Sequence, residues 1–462
     1  MRPNKSFYEN GAPLDSFAPR VGLAWQPGSK QSRVVVRAGY GWFYQLPSDA
    51  GNAPNTPDNN TQPFAQLFGD TGASNSAATL QKPFPTTTLG FVLRTPTSRL
   101  TDRVIGPDFQ IPKLQEWSLK VQYKFSPTLA LELGYVGSHG NNLLLAYASN
   151  QPLVATPGHP VNCGLPNTPA GLGVSAATFA TLGIDPSGCV TTNTSGNAYL
   201  RVPIVGETPN ALQAHQPLGS SWYHSMQGTL NKQVSHGLTL QVSYTFSKSE
   251  ANTTVDNDQR NLALDWARSA FDRTHRLIAN FNYALPSLRT NGFLGTMLKG
   301  WSTSGIVIMQ SGLPMTLTDR SGGSAYGFAG TSTVTLCSGA TNDSLQTSGN
   351  TASRLNHWIN KTGVICNAPP IGSDGSTGYG NVGQSIIPGP GQFNTDFSLG
   401  KTTTVGGFRK EAALALRVEF YNALNHPQFA NPGTTFGTAT FGVITQTSVT
   451  PRLIQFGLKY LF

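Results

Sequence analysis

Hydrophobic and polar residues alternate along this chain in long, clean runs. In LTLQVSYTFSK, Leu238, Leu240, Val242, Tyr244 and Phe246 are interleaved with Thr239, Gln241, Ser243, Thr245 and Ser247 without exception. Successive side chains of a strand point to opposite faces, so this stretch has one apolar and one polar face. EWSLKVQYKF reads the same way, with Trp117, Leu119, Val121, Tyr123 and Phe125 opposed to Glu116, Ser118, Lys120, Gln122 and Lys124. So does LALELGY, where Leu129, Leu131, Leu133 and Tyr135 oppose Ala130, Glu132 and Gly134. Further runs begin at Arg20, Arg33, Trp222, His275, Gly300, Phe393 and Ala412. The chain closes on PRLIQFGLKYLF, in which Ile454, Phe456, Leu458, Tyr460 and Phe462 share a face. The pattern predicts an all-β chain of about 11 strands, each of roughly 8 to 13 residues.

The links between these runs alternate in length. Short ones are PGSKQS after Gln26, SPT after Phe125, SHG after Val234, PSLRTNGFLGTMLK after Leu285 and TTTVGGFRKE after Lys401. Long ones cover residues 46–112, 139–220, 250–272, 314–392 and 425–449, and are rich in Gly, Pro, Ser, Thr and Asn. Structureless loops beyond about 15 residues are uncommon in a compact soluble sandwich. Short turns at one end and long loops at the other suit an antiparallel transmembrane β-barrel, with short periplasmic turns and long extracellular loops. The strands are close to the roughly 9 to 11 residues that a tilted strand needs to cross a bilayer. Trp25, Tyr44, Trp117, Tyr135, Trp222 and Tyr460 are candidates for the aromatic girdles at its two surfaces. An odd strand count that starts and ends inward reads as part of a barrel, since bacterial single-chain barrels have even numbers.

Composition narrows the classes. Charged residues are 11% of the chain, well below the roughly 25% of soluble domains. No run approaches the roughly 18 apolar residues of a spanning helix. The 31 Lys and Arg against 22 Asp and Glu give a net charge of +9. Basic residues such as Arg33, Arg37, Lys120 and Lys124 are scattered singly, so no nucleic-acid partner is expected. The opening MRPNKSFYENGAPLDSF lacks the apolar core of a secretory signal.

The segments FAPRVGLAWQP, VVVRAGYGWFYQ, SYTFSKS, FDRTHR, GWSTSGI with QSGLP, and LRVEFYNALNHPQF with a terminal Phe together resemble the C-terminal barrel of TonB-dependent outer-membrane transporters, most closely the Oar-like branch. The resemblance runs from about Phe17 to Phe462. It implies a location in the bacterial outer membrane and a complete protein with signal peptide, plug domain, TonB box and 22-stranded barrel. Residues 1–16 would be part of an outer loop. Residues 17–462 would be the C-terminal half of the barrel, strands 12 to 22, without the N-terminal parts. The implied partners are outer-membrane lipid, the barrel-assembly machinery, and the TonB complex only through those N-terminal parts. The implied function is import or export of a large ligand. A passive porin, a surface adhesin, a soluble carbohydrate-binding β-protein and a non-functional gene fragment stay open as alternatives. Tyr460 and Phe462 resemble the terminal signal read by the assembly machinery.

Lys120, Gln122, Glu132, Gln241, Arg417 and Glu419 are expected to face the lumen, where they would meet a plug or ligand. Cys163 and Cys189 share one long link, and Cys337 and Cys366 another. Four cysteines allow three connectivities, and shared links favour pairing within each. No C-x-x-C spacing points to a metal, and no cofactor is expected. GYGNVG from Gly378 matches a dinucleotide fingerprint but has no strand before it and no helix-forming sequence after it, so a loop is expected. In FDRTHR, Asp272 and His275 lack a nucleophile, and Asn425, His426 and Pro427 read as a strand exit and turn. Nothing in these motifs argues for an enzyme.

Overall fold

Each alternating run forms a strand. The computed structural model describes residues 16–28, 32–45, 103–105, 110–148, 150–206, 209, 213–252, 258, 260, 262–286, 292–320, 332–406 and 411–462. The strands are β1 (Arg20–Trp25), β2 (Val34–Tyr44), β3 (Lys113–Ser126), β4 (Leu129–Ala148), β5 (Gln213–Ser235), β6 (Leu238–Ala251), β7 (His275–Ala284), β8 (Trp301–Gln310), β9 (Gln392–Thr404), β10 (Ala413–Tyr421) and β11 (Leu453–Leu461). They lie side by side in sequence order, each antiparallel to its neighbours. Two short strands bring the sheet to 13: Arg103–Ile105, parallel to the start of β5, and Ala267–Arg268, against the end of β6. Among the described residues no helix is long and apolar enough to cross a membrane.

The pairing register keeps the two faces separate across the sheet. One row runs Trp25, Val36, Val121, Leu133, Gly228, Tyr244, Leu277, Met309, Phe393 through nine strands. A one-residue slip in any pair would swap the faces, so this register is what the alternation specifies. The apolar face has no second layer over it: Leu133 is 55% and Phe456 73% exposed. The two short connections that are described in full, after β3 and after β5, are tight. β5 and β6 are joined by two residues, His236 (φ 53°) and Gly237 (φ 78°), both left-handed as the twist of a two-residue hairpin requires. A Cβ on Gly237 would also lie 2.5 Å from the Ala284 carbonyl.

The long links differ from expectation. The link expected over 139–220 is shorter, because β4 and β5 continue as a hairpin to Ala148 and from Gln213. Register shifts at Asn141, Leu143 and Leu145, with Asn142 at φ 56°, break the two-residue period there and hide the strand from a pattern search. The 20-residue β4 is about 66 Å long at roughly 3.3 Å per residue, far more than a bilayer needs. Nor are the links structureless. Residues 150–206 pack around Ala155, Leu172, Leu182, Val190, Tyr199 and Leu200. Residues from 314–320, 332–387 and 441–444 pack around Leu317, Val334, Leu345, Trp358, Ile359 and Ile387. Most of the deeply buried apolar side chains among the described residues therefore lie in these two lobes, with Leu145, in the upper part of β4, a fully buried exception in the sheet. Residues 1–15 of the expected outer loop over 1–16 and most of the link over 46–112 lie outside the described residues.

Candidate functional site

The polar face of the sheet carries a chain of paired side chains. Lys120 and Glu132 stand on adjacent strands, and the Lys120 ammonium donates to Glu132 Oε1 at 3.2 Å. Arg37, one strand away, donates to Gln122 Oε1 at 3.1 Å and lies 3.9 Å from Glu132. Gln241 accepts from Asn280 at 3.2 Å, and Arg417 meets Glu419 at 2.8 Å. The six residues expected to face the lumen share one face of the sheet, and each has a partner there. Arg37 and Asn280 were legible as polar positions of their strands, but only the cross-strand register shows what they hold. Such exposed pairs add only about 0.2–1 kcal/mol each; they fix side-chain orientation along the wall. Beside Arg417 and Glu419 the wall sinks into a recess of about 320 Å³, lined also by Asn280, Asp396 and Tyr421. Its floor is low because Ser304 and Ser398 are short and bond to each other at 2.7 Å.

The apolar face ends, on the side of the long links, in a band of aromatic and imidazole rings. Trp222 stacks on His139 at 3.8 Å and on His224 at 5.6 Å, and Trp117 meets Trp222 edge-on at 6.3 Å. Tyr135 bonds His224 at 2.7 Å, and Tyr244 bonds His275 at 2.8 Å. Trp117 lies flat across Gly137, where a Cβ would come within 2.5 Å of its ring. Lys113 sits 3.3 Å over the Trp42 ring. Amphipathic rings of this kind suit a membrane–water boundary. Trp117, Tyr135 and Trp222, expected in a girdle, belong to this band; Trp25 and Tyr460 lie toward the short turns.

Above the band stand the two lobes, each closed by a disulfide: Cys163 with Cys189, 26 residues apart, and Cys337 with Cys366, 29 apart. Closing loops of this length restricts the unfolded chain by about 3 kcal/mol each. The lobes touch. Asp374 accepts from the Ser195 amide at 2.7 Å and hydroxyl at 2.9 Å, and Asn193 donates to the Ile371 carbonyl at 3.3 Å. Burial alone would raise the Asp374 carboxyl, but hydrogen bonds from Ser376 and Ser195 outweigh it and hold it at about 2, below its ordinary 3.8. Behind the junction Arg201, 1% exposed, donates to Asn197 Oδ1 at 2.8 Å and to the Leu153 carbonyl. Burial pulls its guanidinium down to about 10, against the opposing charges of Tyr379 and Asp374. No periodic signal marks these residues, since each acts through a turn or a cap.

The junction carries a pH prediction. A carboxyl whose folded pKa is depressed stabilises the fold fully above its unfolded value and loses that effect as pH falls through the folded one. The lobes should therefore hold together down to about pH 4 and loosen toward pH 2. Asp374→Asn should expose the 150–206 lobe to protease more at pH 7, and the difference from the unsubstituted protein should vanish near pH 2. Equal cleavage at pH 7 would count against the junction.

The remaining motifs lie at strand ends and in the links. Asp272 accepts from the Ser249 amide at 2.8 Å, whereas His275 packs on Tyr244 and Phe246. Asn422 and Asn425, both at φ 51°, shape the exit of β10; Asn422 holds the His426 amide at 2.9 Å and Asn425 that of Arg452 at 3.0 Å. The GYGNVG stretch is an irregular segment whose Gly380 amide bonds Ser332 Oγ at 2.8 Å. Tyr460 Oη donates to the Gly406 carbonyl at 3.4 Å, and Phe462 stacks beside its ring at 6.0 Å. Among the described residues no group of His, Cys, Asp and Glu is placed to hold a metal ion.

Residues 3–455 match the model of a family described as an outer membrane beta barrel domain. No curated protein matches the chain. Among solved structures it is similar to the outer membrane transporter YddB from Escherichia coli, at 10% identity and a TM-score of 0.40 over 93% of this chain and 38% of that one. It is similar to BauA, the ferric preacinetobactin receptor from Acinetobacter baumannii, at 11% identity and 0.40 over 96% and 36%. It is also similar to the FrpB iron transporter from Neisseria meningitidis, at 10% identity and 0.39 over 96% and 38%. The chain thus spans 36 to 38% of the length of these structures.

Proposed function

From the premise that the chain belongs to the outer membrane beta-barrel domain family and is a protein of the bacterial outer membrane, we propose that it forms strands 12 to 22 of an Oar-like, TonB-dependent transporter. In this reading the apolar face meets lipid and the polar face, with Lys120, Gln122, Glu132, Gln241, Arg417 and Glu419, lines the lumen. The two disulfide-closed lobes stand outside the cell and capture a large ligand, which TonB-linked movement of a plug then passes along the paired wall. The observation that carries the reading is the alternation of tight turns and large lobes along a sheet whose strands run in sequence order. The motif resemblance supplies the TonB-dependent part.

The test uses the complete reading frame expressed in its outer membrane. Protease added to intact cells should cut within 150–206, and the full-length protein should crosslink to TonB. Cleavage only after the outer membrane is opened would overturn the orientation, and a complete frame without a plug or without a TonB crosslink would overturn the coupling. If Tyr460 and Phe462 form the assembly signal, deleting Phe462 should reduce the assembled, heat-modifiable form, and Phe462→Tyr should retain it. Equal assembly of the deletion would remove that role.

A further inference from the structure

The charge of the sheet is divided unequally between its two ends. At the long-link end basic and acidic residues are mixed: Lys248 pairs with Glu250 at 2.7 Å, and Glu116 and Glu419 stand among Arg20, Lys113 and Arg276. At the short-turn end the described strands and turns carry Arg33, Lys124, Lys232, Lys299, Lys401 and Lys459, against Glu411 and Glu132, the latter paired with Lys120. Among the described residues no carboxylate lies within ion-pair distance of any of these cations.

The position of two of them matters most. Lys232 pairs in register with Leu240, and Lys401 with Leu416, so both stand on the apolar face at its lower edge. The surface around them has the composition of a membrane boundary. Trp25 is 55% exposed beside the first turn, and Phe125 and Val234 are exposed beside the next two. The turn after β7 forms a helix, Gly292–Leu298, whose Met297 and Leu298 side chains are exposed. Lys401 fixes that helix: its ammonium donates to the carbonyls of Thr296, Met297 and Lys299 at 2.8 to 2.9 Å and lies 5.0 Å over the Trp301 ring. A lysine stem along apolar surface with its ammonium at the edge is how this side chain bridges lipid and water.

We infer that the short-turn rim is a docking collar for the phosphate headgroups of anionic phospholipids, with Lys232 on the apolar face and Lys299, directly after the turn helix, as its contacts. Arg33, Lys124 and Lys459, at the same ends of their strands, add to the field at this rim. The collar goes beyond the transport reading. It rests on that reading only for the identity of the leaflet, which in the proposed orientation is the periplasmic one.

The experiment is native mass spectrometry of the full-length protein, purified from outer membranes and given equimolar phosphatidylglycerol and phosphatidylcholine. Phosphatidylglycerol should be retained preferentially, and the preference should fall about fivefold for each lysine removed in Lys232→Gln and Lys299→Gln. Lys113→Gln, at the opposite end, should leave it unchanged. Equal retention of the two lipids, or a preference untouched by the double substitution, overturns the collar. If the double variant does not assemble, the unsubstituted protein decides: a preference that survives about 0.5 M sodium chloride is not electrostatic. None of these outcomes depends on TonB.

Discussion

Trp358→Ala is expected to unfold the lobe built on residues 314–387 while leaving the sheet assembled. Trp358 is 3% exposed at the centre of that core, its indole N–H donates to the Pro388 carbonyl at 3.0 Å, and the Arg354 guanidinium lies 3.9 Å over its ring. Emptying a site of this size costs about 3–5 kcal/mol; the Pro388 carbonyl loses its indole donor and Arg354 loses the ring beneath it. The lobe is small, and its other covalent support, Cys337–Cys366, restrains the unfolded chain without filling the hole. Limited proteolysis of outer-membrane vesicles should show new cleavage between residues 332 and 390. The heat-modifiable band of the barrel should stay in place, because the core residues of the lobe belong to the links and not to the strands. Trp358→Phe should fall between. A variant whose lobe stays protected, or whose barrel melts with it, would contradict the separation of the two cores.

The second large effect is expected on the last strand. Phe456 sits midway along β11 on the apolar face and is 73% exposed; Gln455, beside it, sits on the other face. An arginine at the middle of a lipid-facing strand costs about 2–4 kcal/mol, whereas one facing an aqueous lumen costs little. Phe456→Arg should therefore lower the urea midpoint of the protein in vesicles, and Gln455→Arg should leave it nearly unchanged. Two equal shifts would mean that the faces are assigned wrongly. The comparison uses neighbouring positions with the same introduced charge, so strand propensity and local turn effects largely cancel.

The sheet was legible because a barrel strand is a repeating instruction. Leu238 to Ser247 states its two faces at every residue, and β3 and β11 do the same. The polar wall was legible to the same degree: Lys120, Gln122, Glu132, Gln241, Arg417 and Glu419 fall on one face because parity alone decides it. The partners of those residues were not, since Arg37 to Gln122 and Asn280 to Gln241 depend on register between strands. Where the period fails, the strand disappears from view, as between Asn141 and Leu145, where shifted pairing moves successive side chains out of phase. The lobes were the least legible. Leu172, Leu182, Val190 and Leu200 are spaced without a period, and their burial follows from turns, short helices and a disulfide that bring distant residues together. The pairing of cysteines within each link was the one sequence feature that marked those regions as organised.

The strand order has a consequence for how such a chain can change. Every main strand touches only the strands before and after it, so the hairpin is the unit of inheritance. Adding or losing one pair of strands with its turn keeps every later side chain on its proper face and every lobe on its proper side. Adding or losing a single strand reverses the vertical sense of everything downstream, sending lobes such as 150–206 to the wrong side of the membrane. Parity, more than length, is what variation in this chain has to conserve.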